Sequence, residues 1–189
     1  MNISALFAII LLLAASSLSQ DLPDRINGYK VYKANIEVST SSEKVSRKKA
    51  LDASIKLLDP QLINIGLSGA TIEVRAEVIS MEQSGRVDMI TFRDVRINGI
   101  EVAVEDYSQP FFVRKGEPLK LSKPAYVSVS ATNLVKVAYS ELLQKHDRIS
   151  LKGTAFVFGK FKKFGFTFKR VVPVKFDVKI SNPLYNSPH

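Results

Sequence analysis

Cysteine is absent from the 189 residues of this chain. Thiol catalysis, zinc–thiolate centres, disulfides and a lipidated cysteine behind a leader are thereby excluded. Histidine is nearly absent. His146 and His189 are the full complement, and His146 sits among Lys145, Asp147 and Arg148 in what reads as a solvated turn. None of the spacings G-x-S-x-G, H-E-x-x-H or G-x-G-x-x-G occurs. Gly153 to Phe161 (GTAFVFGKF) is one residue too long for a phosphate loop and carries Phe161 where Ser or Thr is needed. Glu101, Glu105 and Asp106 come closest to a catalytic or cation-binding constellation. Their alternation with Ile100, Val102 and Val104 reads instead as the wet face of a strand. The sequence therefore points away from an enzyme and names no cofactor and no metal ligands.

Also missing is an apolar run of the roughly 20 residues that a spanning helix needs. The one long run, Ala5 to Ala15 (ALFAIILLLAA), has the length of a signal-peptide core and lies in an uncharged stretch from Met1 to Ser19. Ser17-Leu18-Ser19 supplies a small-x-small cleavage site, so the expected mature chain begins at Gln20. No Lys or Arg precedes the run, which leaves a retained N-terminal anchor as the alternative. Both readings place the folded part, residues 20–180, outside the cytoplasm as a periplasmic or secreted domain, with 181–189 as a loose tail. The only N-x-S/T sequon, Asn2-Ile3-Ser4, falls inside the leader.

What the chain has in excess is positive charge. Its formal net charge is +9, and Lys145 to Lys179 holds ten Lys and Arg residues against only Asp147 and Asp177. A basic field outside the cytoplasm suits anionic lipid headgroups or an acidic envelope polymer, and the leader argues against nucleic acid. The sharpest local feature is Gly159-Lys160-Phe161-Lys162-Lys163-Phe164-Gly165, the expected tip of the last hairpin. Lys160, Phe161, Lys162, Lys163 and Phe164 are the candidate membrane or anion contact, because rings insert at headgroup level while ammonium groups meet anionic lipid. Lysines at a hairpin end also protect strands from edge-to-edge association.

Period-two alternation runs through most of the chain. It predicts strands over 32–38, 63–67, 70–80, 89–97, 100–104, 125–131, 149–158 and 164–180. Asn98-Gly99 is a strong hairpin signal between two of them. In the last strand Phe164, Phe166, Phe168, Val172, Val174, Phe176, Val178 and Ile180 share one parity, and Pro173 marks an edge position or a bulge. Helical spacing appears twice. Val45, Leu51, Ile55 and Leu58 predict a helix over 40–58, capped at Thr40 and Glu43 and stopped by Pro60. Leu134, Val137 or Ala138, and Leu142 predict a second over 133–145. Ile65-x-Leu67-x-Gly69 and Ile149-x-Leu151-x-Gly153 form a weak internal echo. The expected fold is an antiparallel β-sandwich with two short helices.

From residue 65 to 178 the order of features resembles the LEA-2 domain, the second late-embryogenesis-abundant group, also called the water-stress and hypersensitive-response domain. Gly66-Leu67-Ser68-Gly69 leads into the strand Thr71 to Ile79, and Val95-Arg96-Ile97-Asn98-Gly99-Ile100-Glu101-Val102 resembles the family's hairpin. Ala125 to Ala131 then precedes Leu134 to Leu143, and Ile149-Ser150-Leu151-Lys152-Gly153 opens the final hairpin ahead of Pro173. Where the family commonly carries Asn-Pro-Asn, this chain has Ser80-Met81-Glu82-Gln83-Ser84. The resemblance implies an immunoglobulin- or fibronectin-like sandwich, without cofactor or catalytic residues, of a kind associated with stress and desiccation protection and with lipid binding. The alternative is a structural or protein-interaction module that presents its loops to a protein partner.

Overall fold

Two-residue turns, which need positive φ at both positions, organise the chain. Asn27-Gly28 (φ 50° and 79°), Asn98-Gly99 (48° and 81°) and Phe164-Gly165 (50° and 80°) each reverse a strand onto its successor. The computed structural model describes residues 22–41, 51–136 and 147–183, and within them the chain is mainly β, with three sheets and one short helix, α1 (131–136).

The large sheet is built on β14 (Arg148–Lys163) and β15 (Phe166–Ser181), 16 residues each and paired residue for residue over their whole length. β1 (Arg25–Ile26) and β2 (Tyr29–Val31) extend it beyond β15, while β8 (Gly85–Ile97), β9 (Ile100–Glu101) and β11 (Phe111–Val113) extend it beyond β14. Two smaller sheets lie against one face of it. One contains β5 (Gln61–Gly66), β6 (Gly69–Val74), β10 (Ala103–Val104) and β13 (Ala125–Ser130). The other contains β3 (Ile36–Thr40), β4 (Ala53–Leu57), β7 (Ala76–Met81) and β12 (Leu119–Lys120). β6 and β7 are one run of chain broken only at Arg75, so the small sheets sit end to end with Ile72, Val74, Ala76 and Val78 turned the same way.

The β5–β6–β10–β13 sheet buries Ile72, Val74, Val127 and Val129 against Val95, Ile97, Ile149, Leu151, Val178 and Ile180 of the large sheet. The second core, under β3–β4–β7–β12, joins Val87, Val113, Phe161, Val172 and Val174 to half-buried Ile36, Val38, Ala155 and Val157. β8 serves both cores by slipping register against β14 at two bulges, near Asp94 (φ 53°) and Asp88. Each bulge inserts one residue and reverses parity, so Val87, then Ile90 and Phe92, then Val95 and Ile97 all line the interior. Gly153 admits the ring of its cross-strand partner: a Cβ there would lie 2.8 Å from Phe176 Cζ.

The predicted helix over 40–58 is corrected in its described part. Thr40 closes β3 and Ala53–Leu57 is β4, paired in parallel with β3 and antiparallel with β7. Ala53, Ile55 and Leu57 also alternate with Ser54 and Lys56, and pairing on both edges favours the period-two pattern over the helical one. A parallel pair needs a crossover of about a dozen residues, and 41–52 provides it; residues 42–50, and with them most of the predicted helix, lie outside the described residues. Helix 133–145 is described only as far as 136, where α1 begins slightly earlier than expected. Pro173 pairs with Phe156 without a bulge, just past the point where β2 stops pairing at Val171, which is the edge alternative.

The end of β15 is tied to the crossover by Asp59, whose Oδ1 accepts hydrogen bonds from the hydroxyls of Ser41 and Ser181, each at 2.7 Å. These two bonds hold the Asp59 carboxyl below the usual carboxylate range. A folded-state pKa below the unfolded value stabilises the fold above the unfolded pKa, and that stabilisation is lost as pH falls through the folded one. Urea midpoints are therefore expected to decline as pH drops below about 4, with part of that slope removed in Asp59→Asn; an unchanged slope in the variant would contradict the assignment.

Candidate functional site

The hairpin of β14 and β15 carries two unlike faces at its free end. Cross-strand partners share a face, so Lys162 with Thr167, and Lys160 with Lys169, stand on the outer side. Lys160 also pairs with Arg86 on β8, and Arg86 with Phe112 on β11, which places Lys169, Lys160 and Arg86 in one row across three strands. Like charges directly opposite one another repel. Arg86 has Asp88 at 3.3 Å and stacks over the Phe112 ring at 6.0 Å. Arg114 and Lys115 border the same shallow basic depression, each with a carboxylate partner, Glu117 and Glu82.

The inner side is aromatic. Phe166 and Phe168 continue the parity of Val172, Val174 and Phe176, but they are 69% and 40% exposed because no covering strand reaches them. Phe164 is 87% exposed at the turn, with Lys163 Nζ 5.5 Å from its ring centre. Of the five residues singled out from sequence, Lys160, Lys162, Lys163 and Phe164 gather at this end. Phe161 is a correction: it is 5% exposed, in the second core. Its ring fills space left by Gly85 and Gly159, where an added Cβ would come within 2.8 and 3.1 Å of it. Its odd parity with Ala155 and Val157 was a signal of this burial. Sequence reading did not single out Phe112, Phe166, Phe168, Arg86 or Arg170 as site residues.

Farther along the same inner face lies an apolar cavity of about 200 Å³ between the large sheet and β3–β4–β7–β12. Ala34, Ile36, Val38, Ile55, Leu57, Ala76 and Val78 line one side, and Ile90, Phe92, Ala155, Val157, Val172 and Val174 the other. Polar residues also line it: Arg170 from within β15, and Tyr32, Asp52 and Gln83 from the connections between strands. Asp52 Oδ2 accepts from the backbone N–H of Asn35 at 2.8 Å. Arg170 is held by rings, its guanidinium 4.3 Å from the centre of Tyr32 and 4.9 Å from that of Phe168. Tyr107 and Lys123 line the far side, and the buried Tyr107 hydroxyl has no hydrogen-bond partner among the described residues.

The carboxylates considered from sequence do not form one strip. The predicted strand 100–104 divides at Val102, so Glu101 pairs with Arg96 in the large sheet while Glu105 follows β10 in a small one. Glu101, Glu105 and Asp106 are all exposed. His146, His189, Ser19 and Gln20 lie outside the described residues. Among the described residues no group of three His, Asp or Glu side chains is placed to hold a metal ion, and no helix is long and apolar enough to cross a membrane.

No family model matches the chain, and no curated protein does. Among solved structures, a protein from Archaeoglobus fulgidus superimposes on 68% of this chain and 95% of its own, at 12% identity and a TM-score of 0.37.

Phe164 occupies a backbone position that Asn27 and Asn98 fill in the equivalent turns. A bulky side chain at positive φ is strained, by roughly 1–2 kcal/mol, whereas Asn tolerates the region. Phe164→Asn is accordingly expected to raise stability by about 1 kcal/mol in urea unfolding; a loss of stability would mean that the ring contributes to the fold.

Proposed function

We propose that this protein is a non-enzymatic, exported binding module that rests its basic, aromatic hairpin on an anionic membrane surface and takes an apolar chain between its sheets. The observation that carries this reading is the cavity. Creating a void costs on the order of 24 cal/mol per Å³, which for about 200 Å³ is roughly 5 kcal/mol, comparable with the whole stability of a small domain. Its lining is almost wholly apolar, and such cavities stay dry and accept apolar guests. A guest that fills the space offsets the cost.

The hairpin supplies the approach. Phe164, Phe166 and Phe168 on one side and Lys160, Lys162 and Lys169 on the other suit an interface between hydrocarbon and phosphate. The LEA-2 resemblance fits this reading, and with it we propose a stress- or desiccation-protection role, a cleaved leader and an extracytoplasmic location. The finer architecture in this proposal is a β-sandwich, of the immunoglobulin- or fibronectin-like kind that the resemblance implies. A second reading, a protein-interaction module, is favoured by Ile63, Ile65 and Leu67, which stand exposed along the edge strand β5 and the turn that follows it.

Flotation of the purified protein with anionic and with zwitterionic vesicles tests the first reading. Selective flotation with anionic vesicles is expected, abolished by high salt and by the triple change Lys160→Glu, Lys162→Glu, Lys163→Glu. Flotation with neither vesicle would contradict it and favour the protein-binding alternative. Binding to an acidic polymer with no flotation would assign the charge to an envelope polymer instead.

A further inference from the structure

We propose that Arg170 is the headgroup residue of the cavity, and that the ligand is a single-chain amphiphile with an anionic head. This rests on the reading that the cavity holds an apolar chain, and it adds which end of that chain stays outside and what charge it carries.

The parity of β15 places Arg170 on the inner face, between exposed Phe168 and buried Val172. It is the one interruption in an apolar stripe that runs Phe166, Phe168, Val172, Val174, Phe176, Val178, Ile180. An arginine in that stripe is costly unless its charge is used. No carboxylate among the described residues pairs with it; its neighbours are the π faces of Tyr32 and Phe168. Stacked this way, the guanidinium is fixed in orientation while its N–H donors remain available to a planar or tetrahedral anion. Asp52 shares the cavity lining, but its Oδ2 is engaged by the Asn35 N–H. The row of Lys169, Lys160 and Arg86 on the opposite face adds to the positive field at this end of the large sheet.

The geometry orders the path. An acyl chain leaving a bilayer meets Phe164, Phe166 and Phe168 first, passes Arg170, and reaches the Ala- and Val-lined space beyond. The head stops where the guanidinium can bind it. A neutral head gains less at Arg170 than an anionic one, so discrimination by charge is the signature of this residue. The small volume, about 200 Å³, favours a single chain, and Phe92 and Phe176, which belong both to the lining and to the filled core, mark the end of the cavity farthest from the hairpin.

Binding of oleate, oleoyl lysophosphatidate and oleyl alcohol to the purified protein, measured by calorimetry or native mass spectrometry, tests the proposal. The three share one chain and differ in the head. The anions are expected to bind at least tenfold more tightly than the alcohol, as a charge-assisted hydrogen bond warrants, and whichever anion binds more tightly identifies carboxylate or phosphate as the preferred head. Arg170→Gln is expected to remove the preference while leaving alcohol affinity within about twofold, which also reports that the variant is folded. Arg170→Lys should keep part of it. Equal binding of anion and alcohol to the parent protein, or a preference that survives Arg170→Gln, would overturn the role of Arg170 and leave the cavity reading intact. No binding of any of the three would overturn both.

Discussion

The structure depends on an apolar sheet face that is longer than the layers covering it. β14 and β15 run together for 16 residue pairs, and the inner side of β15 is apolar from Phe166 to Ile180, apart from Arg170. Burial of apolar surface drives the small sheets onto that face, but they differ in how well they fill it. At the Ile180 end, Ile, Leu and Val side chains interdigitate. Midway, Ala34, Ala76 and Ala155 line the cavity, and alanine is too short to fill the space between sheets that pack about 10 Å apart. At the hairpin the cover ends altogether. Filled core, cavity and exposed aromatic ribbon are three consecutive states of one stripe.

This continuity connects packing to function. An exposed phenylalanine ribbon alone would be an association hazard, and an internal void alone would be a loss of stability. Placed in series, with cations on the reverse face, they are what the proposed route from a membrane surface to an interior site rests on. The strain at Phe164 belongs to the same arrangement, since Asn serves in the equivalent turns at Asn27 and Asn98. An exposed aromatic side chain stands at the turn of the long hairpin at the expense of turn geometry.

Much of this was legible in the residues, and the failures have definite causes. Asn98-Gly99 announced its hairpin because few residue pairs accept positive φ twice. Alternation gave β6, β7, β13 and β15 with the correct inward sides. β8 was found too, but not its two bulges, which leave no mark on apolar alternation beyond a change of parity between Val87, Ile90 and Val95. Around β4, Leu51, Ile55 and Leu58 fit a 3.6-residue period while Ala53, Ile55 and Leu57 fit a period of two; only the strands on either side decide between them. That Lys160, Lys162, Lys163 and Phe164 gather at one hairpin end is legible in composition. Composition does not separate the buried Phe161 from them, because a cluster of like residues hides the fact that neighbours in a strand point to opposite faces. Composition registers Arg170 as charge and not as position, and the cavity itself has no signature except several alanines on inward parities.

The most direct measurement is a crystal structure of the protein with a fatty acid brominated along its chain. The account predicts an anomalous bromine peak between the two sheets, among Ile55, Ala76, Ala155 and Val157. Peaks confined to the outer surface, with the interior empty, would contradict it.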